Sequence, residues 1–390
     1  MLRSRLPLLL LIPAAFSAFL AAGRAPAAPR EVRWKKTVLD TKFRSEGVAV
    51  ADVNRDGKPD ILTGDLWYEA PDWKVHEIRP PQEYQPATGY SNCFLCFAQD
   101  VDGDGWTDEL VVGFPGDKAH WFRNPGKGGS WTDHPITESA CNESPNFADV
   151  DGDGKPELIT PFKEMQMAFY KPGAKPQEGF EQHLVGEPKQ PGCQRFSHGL
   201  GVGDVNGDRR PDILCTDGYW EAPSNPTSGA WTFVPAKLGP ACAQMYTYDF
   251  DGDGDMDVIS SSAHNIGVWW WEQTKGANGP EFKQHVIDNT FSESHSMVMA
   301  DINGDKQPDF VTGKRWWAHG PNGDVNPNDP AVLYWYEFKR RDGNVEWIRH
   351  EIDNDSGVGT QFAVVRVNGD KRPDIVISNK KGVFLFEQER

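Results

Sequence analysis

The sequence predicts an all-β chain in which seven four-stranded antiparallel blades close into one β-propeller. Three observations predict it. An acidic hairpin recurs seven times, each copy is framed by the same set of apolar and aromatic segments, and the last copy lacks a fourth segment that an orphan near the start of the chain supplies. Self-similarity at such a period marks a repeat architecture, and four short strands per repeat mark a propeller blade.

The hairpin has the form DxNxDGxxD or DxDxDGxxD. It begins at Asp52, Asp100, Asp149, Asp204, Asp249 and Asp301, with a degenerate seventh copy at Arg366, at spacings of 48, 49, 55, 45, 52 and 65 residues. The segment entering it (GVAVAD, FAVVR, SMVMAD) and the one leaving it (DILTG, DFVTG, DIVIS) are rich in Val, Ile and Phe, as strands are. A third, aromatic segment follows (LWYEA, AHWFRNP, VWWWEQ, VFLFEQ), then a fourth (WKVHEI, FEQHLV, FKQHVI, WIRHEI). The seventh unit ends after its third strand. The segment from Arg33 to Asp40 has the fourth-strand pattern with no unit before it, so it is expected to complete the last blade and lock the ring. Residues 28–390 then form a single propeller domain.

Each hairpin offers alternating carboxylate or amide oxygens, a Gly for the sharp turn, and a further carboxylate, which is a hard-oxygen set suited to Ca²⁺. The candidate ligands are Asp52, Asn54, Asp56 and Asp60; Asp100, Asp102, Asp104 and Asp108; Asp149, Asp151, Asp153 and Glu157; Asp204, Asn206, Asp208 and Asp212; Asp249, Asp251, Asp253 and Asp257; and Asp301, Asn303, Asp305 and Asp309. The Glu that ends an EF-hand loop is absent and the flanks are strands, so the helix-loop-helix reading fails. These units resemble FG-GAP/VCBS repeats, the type that forms the calcium-bearing propeller of integrin α subunits and of many exported bacterial proteins. The resemblance spans essentially residues 31 to 390 and implies about four to six structural Ca²⁺ sites. Arg209 and Lys306 replace the Gly in the fourth and sixth copies and Arg366 the first ligand in the seventh, so weaker occupancy is expected there.

Function is expected on the opposite face, where the chain enters strand one and turns from strand two to strand three. Counting six residues before each motif gives Glu46, Phe94, Glu143, His198, Ala243, His295 and Thr360 around the channel mouth. Five of the ten histidines (His76, His134, His183, His285, His350) recur at one position of the fourth strand and read as scaffold, leaving His120, His198, His264, His295 and His319. A repeat imposes structure, so departures from it are the better functional candidates, and His198 and His295 lead among these. The exit of strand two adds Asp65, Asp217 and Lys314, beside Arg315, and unit six inserts a long Gly-, Pro- and Asn-rich loop from Trp316 to Pro330.

The remaining features bound the setting. Arg3 and Arg5, an apolar stretch from Leu6 to about Leu20 and Ala25-Pro26-Ala27 read as a cleaved signal peptide over residues 1–27, so the mature chain is expected to be secreted or periplasmic, without a membrane span, and monomeric. Six cysteines in an exported chain suggest disulfides. The net charge of −17 argues against a nucleic-acid partner, which clustered Lys and Arg would bind. Twenty-three of the 57 acidic residues belong to the seven motifs, so the charge reads as a set of metal cages. Two functions fit: binding of a carbohydrate or other extracellular ligand at the channel mouth, or a sugar lyase or dehydratase in which His198, His295, Glu46 and Glu143, with Lys314 nearby, hold one transition metal such as Zn²⁺ or act as acid and base. In the second reading the chain is similar to the propeller of aldos-2-ulose dehydratase.

Overall fold

The computed structural model describes residues 32–277 and 279–389. The proposed signal segment lies outside the described residues, and no described helix is long and apolar enough to cross a membrane. Among the described residues, 28 strands form seven four-stranded antiparallel sheets. Six blades use four consecutive strands, as in blade 1 with Ala49–Ala51, Asp60–Leu62, Leu66–Glu69 and Lys74–Glu77. Blades 2 to 6 span 95–137, 146–185, 200–235, 246–292 and 297–353. The seventh joins Phe362–Val365, Asp374–Asn379 and Gly382–Glu389 to the N-terminal strand Arg33–Asp40, which runs antiparallel to the last with Arg33 opposite Glu389 and Val38 opposite Phe384. The N-terminal strand thus closes the ring as expected. Contacts between first strands of adjacent blades, including blade 7 with blade 1, place these strands around the axis.

The core lies between blades. One cluster packs Ile61 and Tyr68 of blade 1, Val311 and Trp335 of blade 6, and Ile375 and Phe384 of blade 7. The repeated fourth-strand histidines are scaffold: His76, His285 and His350 stack on Trp67, Trp270 and Trp335 with ring centroids 4.1–4.4 Å apart. Each then reaches the third-strand Glu of its own blade, as His76 does to Glu69 at 2.6 Å.

The last acidic residue of each hairpin has a structural task that its motif does not reveal. Asp60, Asp108, Asp212, Asp257, Asp309 and Asp374 are fully buried. Each accepts two backbone N–H groups at 2.7–3.1 Å, one from the start of its own loop and one from the end of strand three, as from Val53 and Ala70 to Asp60. In blade 3 the second donor position is Pro172, which has no N–H, and there Glu157 binds only the Val150 N–H and leaves Oε1 buried without a partner. Burial pushes these carboxyls up, to about 7 for Asp108, Asp257 and Asp309, against the opposing pull of the backbone donors.

The expected disulfides are absent. All six cysteines are free and buried, each spent on packing. The Cys93 side chain fills the space over Gly64 and that of Cys215 the space over Gly192, while Cys96 donates to Glu109 at 3.1 Å. A small apolar side chain is what those positions require.

Asp374 separates the clamp from any ion, because Arg366 removes the first ligand of its loop. Asp374→Ala orphans two buried N–H groups and should cost about 2–4 kcal/mol in urea unfolding, with no recovery in added Ca²⁺; a loss below about 1 kcal/mol would contradict the clamp.

Candidate metal centre

The seven positions counted from the motifs come together. Glu46, Phe94, Glu143, His198, Ala243, His295 and Thr360 are all buried, and hydrogen bonds link them across the mouth: Thr360 N–H donates to Glu46 O at 2.9 Å and the Gln244 side chain donates through Nε2 to Thr360 O at 3.1 Å. Tight turns hold them there, with Asn142 and Glu293, the residues before Glu143 and two before His295, at φ of 70° and 62°.

Four histidines meet on this face. The entry loops of blades 4 and 6 bring His198 and His295, the strand-two-to-three hairpin of blade 5 brings His264, and the insertion of blade 6 brings His319. Ring centroids lie 4.5 Å apart for His198 and His264, 5.2 Å for His264 and His295, and 4.9 Å for His264 and His319. His198, His264 and His295 each bring a ligand atom within 4.8 Å of the other two. His264, His319 and Asp324 form a second such group.

The Nδ1 atoms are occupied. Each faces an oxygen acceptor: Phe196 O at 3.0 Å for His198, Glu293 O at 3.3 Å for His295, and the two oxygens of Asp324 at 3.2 and 2.6 Å for His264 and His319. An Nδ1 facing only oxygen acceptors carries the proton, so in the neutral imidazole Nε2 is the atom that could serve as a ligand. Nε2 of His198 and of His295 is buried with no hydrogen-bond partner. Glu143 Oε2 stands 3.3 Å from His198 Nε2 without hydrogen-bond alignment. Burial, Arg315 and the neighbouring imidazoles hold His295 well below its ordinary pKa, so it is neutral. Burial opposes ionisation of Asp324, but His264 and His319 outweigh it and hold that carboxyl well below the usual range. A carboxylate fixing two imidazoles through Nδ1 is the outer support that histidine metal sites use.

The flanking charges differ from expectation. Glu46 does not reach the histidines; it pairs with Arg315 Nη2 and accepts from Ser91 N at 3.1 Å. Lys314 is spent on Glu293, Ser292 Oγ and Asn326 O, anchoring the base of the insertion. Glu143 does lie beside His198, and burial's upward push on it is outweighed by His198 and Arg315. Asp324 and Lys380 were not candidates from sequence, and His264 and His319 stood among the five non-repeat histidines only behind His198 and His295. Lys380 sits in the two-residue hairpin of blade 7, 4% exposed, its ammonium pushed down to about 8 by burial. Trp316 and Trp317 stack with ring centroids 3.8 Å apart at the start of the insertion and are half-buried.

On the opposite face, the acidic loops fold alike. The first Asp accepts the N–H five residues on, from Gly57, Gly105 and Gly154 and equally from Arg209 and Lys306, which take up the left-handed turn at φ of 69° and 71°. Their oxygens differ in availability to Ca²⁺. In blade 2, Arg123 bridges Asp102 and Asp104 at 2.5 and 2.6 Å, and in blade 3 Lys171 bridges Asp151 and Asp153. The equivalent third-strand residue is Glu69, Glu221, Glu272, Glu337 or Glu387 in the other blades, and all but one of these face Asn at the second loop position. The exception is blade 5, where Asp251 faces Glu272 and the hard-oxygen set of Asp249, Asp251 and Asp253 fits a divalent cation. Arg123→Ala should therefore enlarge the thermal upshift produced by millimolar Ca²⁺ relative to the parent chain. An unchanged upshift would show that Arg123 does not compete with the ion.

A family model described as FG-GAP-like repeat matches residues 100–160 and 249–312. No curated protein matches the chain. Among solved structures it is similar to BBS1N in its complex with ARL6DN (10% identity, 90% of this chain and 97% of that one, TM-score 0.50). It is also similar to an Agrocybe aegerita lectin that recognises non-reducing terminal N-acetylglucosamine (16%, 84% and 82%, 0.45) and to rhamnogalacturonan lyase YesW (13%, 92% and 74%, 0.43). Identities this low speak to fold alone. With the acidic hairpin in six blades, a degenerate copy in the seventh, and the repeat model on two stretches, the chain is a seven-bladed β-propeller that carries FG-GAP-like repeats.

Proposed function

We propose that this propeller is a secreted, calcium-stabilised enzyme of the sugar lyase or dehydratase type, built around one transition metal at the channel mouth. The observation that carries the reading is the set of four clustered imidazoles whose Nδ1 atoms are all engaged, two of them keeping Nε2 buried and unpartnered. An uncompensated buried acceptor costs about 1–3 kcal/mol, and imidazole donors suit Zn²⁺ and its neighbours in the first transition row. His198, His264 and His295 would hold the ion, with His319 adjoining and Asp324 orienting two of the rings.

Bound there, such an ion supplies Lewis acidity toward a carbonyl or hydroxyl oxygen. The chain's own groups supply the rest. Elimination needs a proton taken from the carbon next to a carbonyl and a leaving oxygen on the neighbouring carbon. Glu143 Oε2, beside His198, would take that proton, and the buried Arg315 guanidinium next to Glu143 would offset negative charge as it develops. The stacked Trp316 and Trp317 offer an apolar face of the kind sugar rings pack on.

Metal analysis of the purified chain should find about one equivalent of zinc or a similar ion beside calcium, lost in His264→Ala and His295→Ala. Keto-sugars and uronic-acid polymers should then give new ultraviolet absorbance with the metal-loaded chain only. Calcium alone would sink the metal centre, and sugar binding without absorbance change would reduce the function to ligand binding.

A further inference from the structure

Arg315 and Lys380 are two buried cations at the channel mouth whose bonding is incomplete. Arg315 is 1% exposed, yet among the described residues its Nε and Nη1 have no hydrogen-bond acceptor. Nη2 is taken by Glu46, and Nη1 stands 3.6 Å from Glu143 Oε2, beyond hydrogen-bond reach. Lys380 Nζ donates to two carbonyls, Trp317 O at 3.0 Å and Ala318 O at 3.4 Å, and has no carboxylate partner among the described residues. A buried ammonium solvated only by carbonyls lacks the counter-charge that buried ions need.

Tyr90 ties both cations to the histidine centre. Its ring lies 4.5 Å from Lys380 Nζ and 5.8 Å from Arg315 Cζ, and 6.3 Å, edge on, from the ring of His319. The charges around this point are nearly balanced. Lys314 cancels Glu293, and Glu46, Glu143 and Asp324 stand against Arg315 and Lys380, one negative charge in excess. A divalent ion on the histidines would turn this into one positive charge in excess, which a monoanion would neutralise.

We propose that Arg315 and Lys380 form a carboxylate-binding subsite beside the histidine centre, so that the ligand is an acidic sugar of the uronate class. The inference rests on the proposed sugar chemistry of this face and narrows it. Arginine is the side chain best matched to a carboxylate, and a lysine adds a point charge. A neutral sugar would leave both cations as they stand. A uronate would complete their bonding while its ring reaches toward His319.

Calorimetric titration of the full metal-loaded chain with D-glucuronate and with D-glucose tests this, because the two share a ring and differ by the carboxylate. The expected result is at least tenfold tighter binding of glucuronate. Lys380→Met should remove that preference while changing glucose affinity less than twofold, and Lys380→Arg should restore it. Metal content, measured on the same samples, should be unchanged in both variants. Equal affinity for the two sugars, binding of neither, or a preference that survives Lys380→Met would overturn the subsite. Metal present without acid preference sinks this inference alone. Acid preference without metal leaves the subsite standing and sinks the metal-centre reading.

Discussion

Everything on this molecule hangs from a buried carboxylate that accepts two backbone N–H groups. At the end of the acidic hairpin in six blades an Asp ties the start of the loop to the end of strand three, while Glu157 in blade 3 keeps only the bond to the loop. The bond pair fixes where strand two begins and where strand three ends. Once those are fixed, the opposite end of the blade, where strand one enters and strands two and three turn, is fixed as well. The histidines stand at that end. The seventh blade shows the clamp to be separable from cation binding, because Asp374 keeps both bonds although Arg366 has displaced the first ligand of its loop.

The same repeat that sets the scaffold makes the departures from it informative. Fourth-strand histidines stack on a third-strand aromatic and, in three blades, reach its neighbouring Glu, so five of the ten are explained by packing. The histidines outside that position carry no such duty. Four of them converge on one face from three blades, held by Asp324 and by backbone carbonyls. The acidic loops on the other face diverge too, but through charge: Arg123 and Lys171 answer the loop carboxylates of blades 2 and 3 from the third strand, whereas in blade 5 that strand position is Glu272, itself held by Lys283 and His285, and supplies no cation to Asp251.

The fold was legible because it is periodic. Seven copies of one pattern fix blade number, strand count and even the closing partner, since the strand missing at one end is visible at the other. Half of the centre was legible for the same reason: His198 and His295 occupy an equivalent position that can be counted from the motif. His264 and His319 were visible only as histidines outside the repeated position, and Asp324 and Lys380 not at all, because all four sit in strand-two-to-three turns and in an insertion, where length varies from blade to blade. The one signal that Asp324 and Lys380 carried was their place on the same face as Lys314. Glu46 and Lys314 were on the right face, but their ion pairs with Arg315 and Glu293 depend on side-chain directions that no spacing encodes. The cysteines were misread because a count cannot distinguish a bridge from a small core residue.

The proposed centre stands or falls on whether these imidazoles are metal ligands. X-ray absorption at the metal edge of the purified chain tests it most directly. Three or more nitrogen scatterers at about 2.0–2.1 Å, with the outer-shell pattern of imidazole rings, are predicted for one ion per chain. A first shell of oxygen alone, or no transition-metal edge after loading, would contradict it.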